Sequence, residues 1–160
     1  MKVLQINSVC GVGSTGKICQ DLYWELKKRG HECKIAWGRR KGGNVPDEDT
    51  IQIGRPVDYY LHALCTRIFD NMGYGSKRAT EKLIETVRAY DPDVIHLHNI
   101  HGYYINIEVL FNYLRQCGKK IIWTLHDCWS FTGHCTYMDF VGCNKWKTQC
   151  FNCPQRKEYP

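Results

Sequence analysis

No stretch of this sequence approaches the roughly 20 unbroken apolar residues of a bilayer-spanning helix. Prolines number only five, and no internal repeat, low-complexity tract or Pro/Ser-rich linker interrupts the chain, which leaves repeat arrays aside. Acidic residues are the minority charge: 16 Asp plus Glu stand against 22 Lys plus Arg, a net +6 with His neutral. That balance favours anionic partners such as nucleic acid, a phosphorylated small molecule or an acidic membrane surface. A mildly basic protein with no such partner would carry the same charge. The N-terminus, Met1 to Gly13, has one lysine and an apolar run too short for a secretory signal. It reads as a first strand, so the expected location is the cytoplasm. What is present is ordinary globular material. The 160 residues are 43% hydrophobic and 24% charged, which excludes wholesale disorder and fits one domain with a real core.

Cysteine is the exception, with ten in the chain. Cys10, Cys19, Cys33, Cys65 and Cys117 are scattered, mostly on apolar positions, and read as free buried thiols in a reducing compartment. The other five, Cys128, Cys135, Cys143, Cys150 and Cys153, crowd into the last 33 residues.

Apolar periodicity predicts strands at 3–6, 34–37, 51–53, 94–98 and 121–125. Helices are predicted from Ser14 to Gly30, over 57–72, from Ser76 to Tyr90, and around Ile107–Leu114. Gly38–Gly43, carrying Arg39, Arg40 and Lys41, is predicted as a loop. Strands alternating with helices specify an α/β, Rossmann-like, mostly parallel sheet with helices on both faces. The expected division is a Rossmann-like domain of 1–127 and a cysteine-rich appendage of 128–160. The helix over 57–72 has an apolar face of Val57, Tyr60, Leu61, Leu64, Cys65, Ile68, Phe69 and Met72, for which core packing is the default expectation and a membrane- or lipid-facing role the alternative.

Gly11-Val12-Gly13-Ser14-Thr15-Gly16-Lys17-Ile18 lies between a strand and a helix. A helix N-terminus offers unpaired N–H groups and the positive dipole end, and Lys17 in the first turn is unfavourable unless an anion sits there too. A tight turn that needs glycine for backbone reasons is the plainer alternative. As GxGxxG the loop fits a dinucleotide fingerprint, but no acid ends the second strand to hold a ribose; only Arg39 or Arg40 could take the 2′-phosphate of NADP. As a P-loop it lacks the magnesium-binding hydroxyl, because position 18 is Ile.

Four segments in order carry a resemblance: Gly13-Ser14-Thr15-Gly16-Lys17-Ile18, Gly30-His31-Glu32, Pro92-Asp93-Val94-Ile95-His96-Leu97-His98-Asn99, and Thr124-Leu125-His126-Asp127-Cys128-Trp129. Together they resemble the N-terminal domain of a family-four glycosyltransferase of the GT-B fold. The similarity is to the bacterial branch that builds surface polysaccharides, whose members carry a Thr-Gly-His-Cys segment and a cysteine-rich insert like Thr132–Cys153. The resemblance implies a retaining transferase that takes its sugar from a nucleotide-sugar donor. It implies two Rossmann-like domains with the active site in the cleft between them. This chain would supply the acceptor-side half. The donor-side domain, with its pair of glutamates, is not in these residues, so the chain alone is expected to be inactive.

By the same resemblance, Gly13, Ser14, Thr15, Gly16 and Lys17 would face the cleft near the donor. His126 would hydrogen-bond the donor sugar, and Asp127 would orient the acceptor or cap the next turn. Catalysis would need no bound metal, because helix dipoles and basic side chains stabilise the leaving diphosphate. From their own chemistry, His98, Asn99, His101 and Tyr104 are expected at the cleft mouth, suited to a saccharide; a polar connecting loop is the alternative. His96 reads as a satisfied internal histidine. Arg39, with Arg40 and Lys41, could clamp the phosphate of a lipid-linked acceptor, with peripheral contact to the inner membrane face; a solvated loop is the equal alternative. Cys135, Cys143, Cys150 and Cys153, spaced C-x7-C-x6-C-x2-C, are candidate ligands of a structural zinc, with His134 or Cys128 as substitutes. Unliganded thiols or disulfides are the alternative. Two other functions compete. One is an NADP-binding oxidoreductase domain. The other is a zinc-containing nucleic-acid module, which interspersed charges and the lack of a nucleic-acid fold argue against.

Overall fold

The computed structural model describes residues 1–132 and 135–155. It divides into two compact units, Met1–Thr124 and Leu125–Pro160.

The first unit runs β1 (Lys2–Cys10), α1 (Gly13–Lys28), β2 (Glu32–Lys41), β3 (Thr50–Gln52), α2 (Pro56–Phe69), α3 (Lys77–Tyr90), β4 (Val94–Leu97), α4 (Ile107–Leu114) and β5 (Lys120–Trp123). The sheet order is β3-β2-β1-β4-β5 and every neighbouring pair is parallel. This is the Rossmann-like α/β architecture that strand–helix alternation implied. The chain moves outward from β1 to β3, then returns across β1 to β4 and β5. Right-handed crossovers in opposite directions place α1 on one face and the helices before β4 and β5 on the other. β1 is central and buried on both sides. Val3 packs with Cys19, Tyr23, Cys33 and Ile35 on the α1 face. Leu4, Ile6, Ile95 and Leu97 are fully buried, and strand alternation puts them on the opposite face. Each such side chain contributes about 2 kcal/mol. Cys10, Cys19 and Cys33 are buried free thiols, as their apolar positions implied.

Two expectations need correction. β2 does not stop at Trp37. After a register shift past Asn7, Val9 pairs with Arg40 and Cys10 with Lys41, so Arg39 to Lys41 lie on a strand rather than in a loop. And α2 is not a core helix. Only His62 on it is buried, while Tyr60, Ile68 and Phe69 are 69%, 62% and 70% exposed. Helical periodicity marks an apolar stripe; it does not say what covers the stripe.

His62 is the pin that holds α2 down. Gly75 N–H donates to Nε2 at 3.2 Å, and Nδ1 lies 2.9 Å from Ser76 Oγ. The Gly75 bond requires an unprotonated Nε2. Burial pulls the imidazole down to about 4. Above about pH 6.5 the ring is neutral folded and unfolded, and His62 adds no pH dependence. As pH falls from 6.5 toward 4, the unfolded chain takes up a proton that the folded chain does not. Stability then declines by up to roughly 3 kcal/mol. The expected result is a denaturation midpoint that falls between pH 7 and 4.5 in the wild type and falls distinctly less in His62→Gln. Identical pH dependence in the two proteins would show that His62 is not the sensor.

In the second unit the described residues form no long helix or strand, only 3-10 turns at Asp139–Val141 and Lys145–Lys147. Phe131 and Trp146 meet edge-on at 5.8 Å between centroids. Phe140 and Phe151 are 89% and 69% exposed, so an aliphatic core is not what orders this segment.

Candidate functional site

Ligands of open α/β sheets bind beyond the carboxyl ends of the strands. In the first unit that edge carries the Gly11–Gly13 turn, the Arg39–Lys41 end of β2 and the connection after β4.

The glycine turn is fixed by backbone demands. Gly11 has φ +66°, and a Cβ there would lie 2.2 Å from the Gly42 carbonyl oxygen. Its N–H donates to Gly16 O at 3.0 Å. Gly16 is buried beside Val9 and needs its lack of side chain for packing. Gly13 and Ser14 are exposed and Thr15 is half-buried. The first turn of α1 has no side-chain cap and no acid, so its N–H groups are not claimed by capping side chains. Lys17 corrects one step of the sequence argument. It pairs with Asp21 at 3.6 Å, both well exposed, so an anion is not needed to explain its charge.

Asn7 ties this edge together. Its Nδ2 donates to Val9 O at 2.8 Å and to Thr15 Oγ1 at 3.3 Å, and its Oδ1 accepts from Asn99 N–H at 3.2 Å. One fully buried amide thus links the end of β1, the start of α1 and the connection after β4. Sequence reading passed over it; the signal available was a second amide, after Gln5, inside a largely apolar first strand.

His98 and Tyr104 are corrections. Expected at the cleft mouth, they are 1% and 2% exposed. His98 lies on the α1 face, where Nε2 meets Gln5 Oε1 at 3.1 Å, and Gln5 donates onward to Cys19 O at 3.0 Å. His96 stands beside it, 4.1 Å between ring centroids, with Nε2 2.8 Å from Thr124 Oγ1. His98 is internal and His96 half-buried, and the row they form with Gln5 finds its partners in Cys19 O and Thr124 Oγ1. Tyr104 donates to Asn99 O at 2.7 Å, and burial raises its phenol far above the ordinary value. Its ring fills the space above Gly38, where a Cβ would come within 2.1 Å of Cγ. Tyr104 therefore shapes the connection after β4 from beneath. Asn99 and His101 remain half-buried on that connection.

Arg39 reaches the same place from β2. Its guanidinium lies 5.1 Å from the Tyr59 ring centre, and its Nη1 lies 3.6 Å from where a Cβ on Gly102 would stand. The structure thus brings together the glycine turn, Arg39 and the Asn99–Gly102 connection. A separate hollow of about 310 Å³ beside Arg88, Asp91 and Lys119 lies at the opposite, amino-terminal edge of the sheet.

His126 and Asp127 belong to the second unit. Partial burial lowers the His126 imidazole below its ordinary value, opposed by Asp127 beside it. Asp127 Oδ1 accepts from Trp129 N–H at 3.0 Å, the turn-capping role weighed for it. Of the zinc candidates, Cys135, Cys143, Cys150 and Cys153 line one cavity. Among the described residues, no three metal-ligating side chains already stand grouped as around an ion. His134, the substitute ligand, lies outside the described residues.

The model of Glycosyltransferase Family 4 matches residues 15–149. The chain is also 28% identical, over a 170-residue alignment, to a protein of Escherichia coli (strain K12) named as a colanic acid biosynthesis glycosyl transferase, WcaC. That alignment covers all of this chain and 41% of the relative, so the chain spans less than half the length of the protein it matches. The chain belongs to glycosyltransferase family 4.

Proposed function

We propose that this chain is the acceptor-side half of a retaining glycosyltransferase. It acts in polysaccharide biosynthesis, taking a sugar from a nucleotide-sugar donor and passing it to a saccharide or lipid-linked saccharide. The observation that carries this is the meeting of the glycine turn, Arg39 and the Asn99–Gly102 connection at the carboxyl edge of a family-4 sheet. In this reading the donor-binding half of a GT-B enzyme lies outside these 160 residues. The exposed first turn of α1 faces the donor's phosphate or the transferred sugar with N–H donors. Asn99 and His101 supply hydrogen bonds to acceptor hydroxyls, and Arg39 takes an acceptor phosphate. His126 bonds the donor sugar. The glycosidic bond to the diphosphate breaks and a bond to the acceptor oxygen forms on the same face of the ring. Dipoles and basic groups offset the leaving charge, so no metal is needed in this transfer. Family membership leaves the NADP and nucleic-acid readings without support.

The acceptor is best held at the inner membrane face. No helix among the described residues is long and apolar enough to cross a membrane. The exposed face of α2 instead offers Tyr60, Leu64, Ile68 and Phe69, with Arg55 just before the helix and Arg67 in its last turn. That pattern suits a helix lying in an anionic interface.

The test is transfer from labelled nucleotide sugar by a protein carrying both domains, with acceptor either soluble or embedded in anionic vesicles. The product should keep the donor's anomeric configuration. Ile68→Asp with Phe69→Asp should slow transfer to the vesicle-borne acceptor at least tenfold and leave the soluble one unchanged. An inverted product would remove the retaining assignment. Equal rates on both acceptors would remove the membrane face.

A further inference from the structure

The geometry points to a structural zinc site in the second unit, held by Cys135, Cys143, Cys150 and Cys153. This goes beyond the transfer reading and stands or falls apart from it, because it concerns what folds residues 125–155. The four thiols, two of them flanking one turn, line one cavity of about 20 Å³, which they share with Lys145 and Trp146. A guest the size of one water needs roughly 10–15 Å³, so the cavity suits a single small ion. Cys128, the fifth cysteine of the segment, does not line it. Cys135 and Cys153 are joined by a side-chain hydrogen bond although 18 residues separate them. None of the four is in a disulfide.

The backbone is arranged around them. Gly142 and Asn152, with φ +61° and +52°, stand immediately before Cys143 and Cys153. Each turns the chain just ahead of a thiol. Lys145 Nζ donates to Phe151 O at 3.1 Å and Asn152 O at 2.9 Å. It closes the Cys150–Cys153 turn, and its ammonium on the cavity wall offsets part of the charge that four thiolates would bring. These turns do not rest on a buried aliphatic cluster, since Phe140 and Phe151 face outward. The segment is built like one held by a cross-link.

Four sulfur donors favour zinc over harder cations, and a tetrahedral set needs no further ligand. Binding replaces four S–H bonds by four zinc–thiolate bonds and releases four protons to solvent. No oxidant is required, unlike a disulfide. The sequence lacks the tight cysteine runs typical of iron–sulfur sites.

The test uses the 160-residue chain purified under reducing conditions without added metal. About one zinc per chain is expected. Cobalt(II) exchanged into it should show the thiolate charge-transfer and tetrahedral ligand-field bands. Cys143→Ser and Cys150→Ser should lose the metal, while Cys128→Ser keeps it. If a serine variant fails to fold, chelation of the wild type decides the matter. Removing zinc should expose 125–155 to protease while the sheet's circular dichroism persists, and zinc but not magnesium should restore protection. Zinc-free protein with a protease-resistant 135–153 segment would overturn the site. So would two disulfides by mass spectrometry in reduced protein, bound iron with sulfide, or a Cys128→Ser variant that loses the metal.

Discussion

No measurable sugar transfer is expected from the 160-residue chain alone, and full transfer should return when a donor-binding domain is supplied, covalently or in trans. Positioning two reactants in one site accounts for about 7–11 kcal/mol of a typical barrier. Charge stabilisation of the leaving group adds to that only if the groups are preorganised around it. On the proposed reading this chain holds the acceptor, and the basic groups that meet the diphosphate lie in the other half. The loss should therefore be many orders of magnitude, below detection in a radiochemical assay. Steady turnover by the isolated chain, surviving a second purification, would mean that donor chemistry resides in these residues after all.

The second large effect concerns His126. In the two-domain enzyme, His126→Ala should lower turnover at least tenfold, the consequence of removing about 1.4 kcal/mol of transition-state stabilisation. Partial burial lowers the imidazole below its ordinary value, against the pull of Asp127, and so favours the neutral ring. A neutral ring suits a hydrogen bond to a sugar hydroxyl. Thermal denaturation should be little changed, because the side chain lies outside the sheet unit. Turnover and KM measured together separate the outcomes. A raised KM with unchanged turnover would make His126 a ground-state contact. Wild-type values for both would take it out of the site.

Much of the first unit was readable from residues alone, because its elements obey single periodicities. VLQI, VIHLH and IIWTL could only be strands between helical patterns, and Gly30 and Asp91-Pro92 mark helix ends. What escaped had physical causes of three kinds. Arg39, Arg40 and Lys41 belong to a strand because β1 outlasts its own apolar run and keeps offering backbone partners; charge pattern cannot show that. His98 and Tyr104 look like ligand groups by type, yet the fold uses them as buried supports, bonded to Gln5 and Asn99. Their placement depends on contacts across the sheet, invisible to a local reading. Asn7 escaped for the opposite reason. An amide inside a strand carries no motif, and its three bonds appear only when β1, α1 and the connection after β4 are assembled. For His126 and Asp127 the proposed roles come from the family resemblance and not from the residues themselves.

The notch between Gly38 and Tyr104 bears on how such a chain can change over generations. Gly38 is not there for an unusual backbone angle; it is there because the tyrosine ring occupies the place of a side chain. Neither position can drift by itself. Alanine at 38 would collide with the ring, and a smaller residue at 104 would leave a void and release the Asn99 carbonyl. A lineage can alter this edge of the sheet only by exchanging both residues in step, so the pair is inherited as one character and acts as a brake on divergence there.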